Sequence, residues 1–191
     1  MRLALRLPGR AAVPILVVGT VFLASGAAPA RGAAAGADAT EGGAASPSDY
    51  AIHIAHPATA GMLRLVLDGA RRRLATSRCQ EVLDEFSGPD GRSLRLRLEE
   101  LHQTPEGYLR LVVFYDGRTQ PRCAGGGVLA VTQVDSRVVY VCPEQLRRWA
   151  RHDPRWVEAT LIHEALHTLG LGENPPSSQE ITFAVIRKCG R

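Results

Sequence analysis

A chain of 191 residues has room for one domain, and a hydrophobic fraction of 45% is enough to build a core. The formal net charge is +4, from 23 basic and 19 acidic residues. Setting aside Arg2, Arg6 and Arg10, which belong to a leader, leaves 20 against 19, and a domain so nearly neutral gives no electrostatic reason for a nucleic-acid partner.

Residues 1–30 have the three parts of a signal peptide. Arg2, Arg6 and Arg10 form the positive start, Ala11 to Ala27 the apolar run, and Ala28-Pro29-Ala30 a small-residue cleavage site. The apolar run is shorter than 20 residues and is interrupted by Pro14 and Gly19, so no stable membrane span is expected once the leader is gone. The expected destination is outside the cytoplasm, secreted or periplasmic. Residues 31–49 are mostly Ala, Gly, Thr, Ser and Pro and cannot bury enough apolar surface to offset their ordering entropy; they read as a disordered linker. The folded unit is expected over residues 50–191.

Ala58 to Thr76 carries Met62, Leu65, Val66, Gly69 and Leu74 at helical spacing, and Arg71-Arg72-Arg73 suits the negative end of that helix as a solvated face. Cys79 to Phe86 extends or restarts the helix, and Ser87 to Gly91 is a turn. Ser93 to Leu101 alternates, with Leu94, Leu96 and Leu98 on one face, which predicts a strand. Tyr108 to Tyr115 predicts a second, and Val128 to Val134 with Arg137 to Cys142 a hairpin through Asp135-Ser136. From Pro143 the pattern is helical, except between Gly170 and Pro176. The order predicts an α+β domain with a four-stranded, mainly antiparallel sheet.

His163-Glu164-Ala165-Leu166-His167 is an HExxH sequence. Residues four apart on a helix lie one above the other, so both imidazoles can reach one metal ion. Glu164 falls on the neighbouring face, where its carboxylate can take a proton from water acidified by zinc. Asp153-Pro154 supplies a cap and a first-turn proline, and Gly170 a left-handed stop, so the motif lies on a helix. Trp156, Thr160, His163 and His167 share one face of it.

The segment His163 to Glu173, HEALHTLGLGE, resembles the HExxHxxGxxH zinc signature of the metzincin metalloproteases, above all the HSLGL-type version in matrix metalloproteases. The resemblance implies a zincin-like, zinc-dependent endopeptidase, with His163 and His167 as ligands, Glu164 as general base and Gly170 at the turn that returns a third ligand. It covers eleven residues. Position 173 holds Glu where that family has His or Asp, and a carboxylate is an acceptable zinc ligand. The methionine turn of the metzincins has no counterpart, because Met1 and Met62 both lie upstream. The longer string GENPPSSQEIT also resembles exported bacterial proteins of unassigned activity.

Two third ligands therefore stay open: Glu173 by turn spacing, and Glu180 as a gluzincin-type ligand from the next helix. For Glu180 the competing role is a capping box with Ser177. His53, His56, His102 and His152 lack ligand spacing and read as surface or loop residues. Tyr108, Tyr115 and Tyr140 read as strand packing, although one of them could stabilise an oxyanion. An extended peptide or protein substrate would pair with one strand beside the cleft; the sequence does not say which. The same site would also suit a zinc hydrolase of non-peptide amides or esters, or a non-catalytic zinc module.

Cys79, Cys123, Cys142 and Cys189 are even in number and none is spaced CxxC, which predicts two disulfides in an exported protein. A hairpin would bring Cys123 to Cys142, leaving Cys79 to join the last helix at Cys189.

Overall fold

A computed structural model describes residues 50–190, so the predicted leader and linker lie outside the described residues. In chain order come β1 (Ala51–His53), α1 (Pro57–Leu74), α2 (Ser77–Gln80), α3 (Val82–Glu85), α4 (Leu94–Glu100), α5 (Pro105–Tyr108) and β2 (Val113–Asp116). They are followed by α6 (Pro121–Ala124), β3 (Ala130–Thr132), β4 (Val138–Val141), α7 (Pro143–His152), α8 (Pro154–Thr168) and α9 (Ser178–Cys189).

The domain is α+β, as expected, but its four-stranded sheet is mixed and not mainly antiparallel. The strand order is β1-β2-β4-β3, with β1–β2 and β2–β4 parallel and only β3–β4 antiparallel. Two predicted strands are responsible for the difference. Ser93 to Leu101 folds as α4: Ser93 caps it by accepting from the Leu96 amide, and Leu94 and Leu98 are buried while Leu96 is 47% exposed. Leucines two apart fit either period, and the segment is made of strong helix formers without a β-branched residue. Tyr108 to Tyr115 is strand only from Val113, because Thr104 caps a helical turn begun by Pro105 and a 3₁₀ turn follows over Leu109–Leu111. β1, only three residues long, went unpredicted. The β3–β4 hairpin and the turn after Phe86 form where expected.

The core gathers around α8. From Val157 to Thr168 almost every side chain of that helix is buried, with Leu161, Ile162 and Leu166 essentially inaccessible. α1 lies against it through Leu63, Val66, Leu67, Ala70 and Leu74, a stripe shifted from the predicted one, since Leu65 faces solvent. The arginine run is not wholly a solvated face either. Arg73 Nε lies 2.5 Å from Glu158 Oε2 and its Nη1 donates to the Cys189 carbonyl at 2.5 Å, joining α1, α8 and α9. Gly69 makes room for this pair: a Cβ there would meet Glu158 Oε1 at 2.0 Å.

Both disulfides pair as predicted, Cys79–Cys189 and Cys123–Cys142. Cys123 reaches Cys142 from α6, however, and not from the strand itself. Among the described residues no helix is long and apolar enough to cross a membrane.

Arg73→Met is expected to cost about 3–5 kcal/mol of stability, because it strands a largely buried carboxylate. Arg73→Met/Glu158→Leu should recover most of that loss. Urea denaturation of the two variants measures this; equal losses would show that the residues do not act as a pair.

Candidate metal centre

α8 begins where Asp153 accepts from the Trp156 amide at 3.0 Å and Pro154 occupies the first turn. It ends in a Schellman motif, in which Gly170 N–H donates to the His167 carbonyl at 2.9 Å and Leu171 N–H to the Leu166 carbonyl at 3.0 Å. Gly170 adopts φ +100°, a conformation in which a side chain is strained. A Cβ there would also meet Arg97 Nη1 and Asp135 Oδ1 at 2.6 Å.

The reversal places the Leu171 carbonyl 2.6 Å from His167 Nδ1. A carbonyl only accepts, so Nδ1 carries the proton and Nε2 keeps its lone pair. His163 Nδ1 lies 3.0 Å from the Thr182 hydroxyl of α9. The two Nε2 atoms then face each other at 2.9 Å. That spacing is an N–H···N hydrogen bond when neutral His163 carries its proton on Nε2, and the same two atoms can turn their lone pairs to a metal ion once that proton is lost.

Two residues beyond Leu171, Glu173 brings Oε1 to 3.2 Å from His167 Nε2 and 3.7 Å from His163 Nε2. Among the described residues these three side chains form the one cluster of His, Cys, Asp or Glu whose donor atoms converge as a metal site requires. A triangle of those sides has a point about 2 Å from each corner, the Zn–N and Zn–O distance. Nitrogen, nitrogen and carboxylate oxygen are also a donor set that zinc accepts. Glu180 is engaged elsewhere: its carboxylate accepts from the Ser177 amide at 2.8 Å in a capping box. The four other described histidines lie outside the cluster.

Glu164 stands beside the donors without joining them, and it is only 8% exposed. The Thr132 backbone of β3 lies beside its carboxylate. Burial pushes its pKa up to about 7, helped by the charge on Glu173 and opposed by Arg122 and the Thr132 amide. Burial likewise lowers His163 to about 4, with His167 acting in the same direction and Glu173 against it. The group is neutral, and its ring nitrogen is available, at ordinary pH.

These side chains line a cleft of about 280 Å³ whose walls include Trp156, Thr160 and Thr182 as well as the segment Gly127 to Thr132. Trp156 and Thr160 share the histidine face, as the helical spacing predicted. The three tyrosines do not line it: Tyr108 donates to the Thr168 carbonyl in the core, and Tyr115 and Tyr140 pack together on the sheet. Thr132, Thr182 and Arg122 went unrecognised in the sequence. They come from elements distant along the chain, and no local pattern marks them.

His163→Ala and His167→Ala should each abolish stoichiometric zinc binding, and Glu173→Gln should weaken it strongly. Glu180→Gln should keep the metal and cost about 1 kcal/mol of cap stability. Thr182→Val should weaken affinity by about 10- to 100-fold by releasing His163. Elemental analysis and calorimetric titration check the series.

A separate expectation concerns the metal-free protein. Glu164 has a folded-state pKa of about 7 against an ordinary value of 4.5, so the fold favours its neutral form. Stability from this group is present below pH 4.5 and lost as pH rises through about 7. Glu164→Gln should therefore match the parent near pH 4 and exceed it by about 3 kcal/mol near pH 8. Equal stability at both values would refute the burial cost.

The chain matches no known family profile, no curated protein and no solved structure, which leaves the donor geometry as the ground for a functional reading.

Proposed function

We propose that this protein is an exported zinc metallopeptidase with a zincin-like site, hydrolysing peptide bonds with Glu164 as general base. The observation that carries the proposal is the division of labour in the cleft. Three side chains converge at metal-ligand distances, while a fourth, a buried carboxylate, is held alongside and left uncommitted. Three protein ligands leave a coordination position open, the mark of catalytic as opposed to structural zinc sites. When bound, zinc supplies Lewis acidity, polarising a carbonyl and acidifying water.

The chain's own residues do the rest. The Leu171 carbonyl and the Thr182 hydroxyl fix both rings with Nε2 toward the cleft. Glu164, beside the Thr132 backbone, takes the proton of the attacking water and passes it to the departing amine. β3 is the edge strand of the sheet. Cys142 N–H donates to the Leu129 carbonyl, so Leu129 and Val131 turn their backbone groups toward β4. Ala130 and Thr132 turn theirs to the open edge above the cleft, where an extended peptide can add as a further strand.

That edge favours a peptide substrate over a small amide or ester, which needs no strand. A non-catalytic module has no use for a carboxylate left outside the donor set. Two disulfides suit an oxidising, extracytoplasmic location.

Glu164→Ala should retain zinc while casein or peptide cleavage falls by about 10²–10⁴. Unchanged cleavage would remove Glu164 from the reaction. Turnover of small esters without any peptide cleavage would favour the non-peptide alternative.

A further inference from the structure

Arg122 supplies the only Arg or Lys side chain in the wall of the metal cleft among the described residues. The other titratable groups there are Glu164, Glu173 and the two histidines. Arg122 is exposed, and among the described residues it forms neither an ion pair nor a side-chain hydrogen bond. Most arginines nearby are committed: Arg97 to Asp135, Arg118 to Asp116 and Arg147 to Glu144. Arg122 is thus a guanidinium in the cleft wall with no hydrogen bond or ion pair of its own, near enough to Glu164 to act on its charge.

Its position is fixed by covalent structure. α6 is a single helical turn, and the residue after Arg122, Cys123, is bonded to Cys142 at the end of β4. Gly117 packs beneath this link so closely that a Cβ would meet Cys123 Sγ and the Val141 carbonyl at 2.8 Å. Cys142 pairs with Leu129, so the disulfide holds Arg122 beside the start of β3, while the strand's other end, Thr132, touches Glu164. Three strand residues, about 10 Å, separate these two points.

Arg122 gives the lining of the cleft a fixed positive charge. An extended chain lying on β3 would carry a side chain past Arg122 within about three residues of the bond above Glu164. A carboxylate there would receive two parallel N–H donors and a matching charge, and a lysine would be repelled.

We infer that Arg122 is a specificity-determining residue that selects substrates with an acidic side chain within three residues of the scissile bond, on one side of it. This rests on the peptidase reading of the same cleft. The zinc-loaded protein should be given a mixed peptide library, with cleavage sites mapped by mass spectrometry. Asp and Glu should be enriched at one fixed position, and a Glu peptide should exceed its Lys counterpart by about 10- to 100-fold in kcat/KM. Arg122→Gln should flatten that ratio and Arg122→Glu should invert it, both with zinc content unchanged. A loss of folding or an altered Glu164 lowers cleavage of both peptides alike and does not invert their ratio. Cleavage with no acidic preference, or with the same preference in Arg122→Glu, overturns this inference alone. A zinc-loaded protein that cleaves no peptide overturns it together with the peptidase reading.

Discussion

A single left-handed residue, Gly170, turns the chain back along the helix it has just left, and the donor cluster depends on that reversal. The turn satisfies the last carbonyls of α8 with its own amides and brings the Leu171 carbonyl to His167. It also returns Glu173 to the same ring nitrogen. The reversal is clamped from outside. Arg97 of α4 donates to Asp135 and to the Leu169 carbonyl, and the Asp135 amide donates to the His167 carbonyl. The space a side chain would need at Gly170 is filled by these groups, so steric crowding and backbone conformation both demand glycine.

Around this turn the protein carries an electrostatic burden. Two imidazoles and two carboxylates are gathered in a mostly buried cleft, an arrangement that costs stability unless a cation joins them. The surrounding scaffold is correspondingly rigid. α8 is encased on nearly all sides, and the Arg73–Glu158 pair and the Cys79–Cys189 bond tie α1, α2 and α9 around it. Since α9 carries Thr182, the disulfide at its far end also steadies the ring of His163.

What was legible in the sequence was what is local. The HExxH spacing, the Asp153 cap, the Gly170 stop and the Ser177–Glu180 capping box each span a few residues, and each sits in the fold as its chemistry dictates. The capping box also explains why Glu180 does not reach the donor cluster. The hidden part is set by tertiary contact. Leu94 and Leu98 fit a helical face as well as a strand face, and β1 is too short to show a period. Parallel pairing depends on β1 lying beside β2 after a long crossover, which no local pattern encodes. Thr132, Thr182 and Arg122 share this distance: each meets the histidine helix only after the sheet and α9 are in place.

The brevity of β3 has a consequence for how the protein behaves in company. An open sheet edge is normally a template on which copies of a chain can stack, and long flat edges drive polymerisation. Here the edge is three residues long. An edge this short can stay open to one extended peptide without offering copies of the chain a long template for stacking.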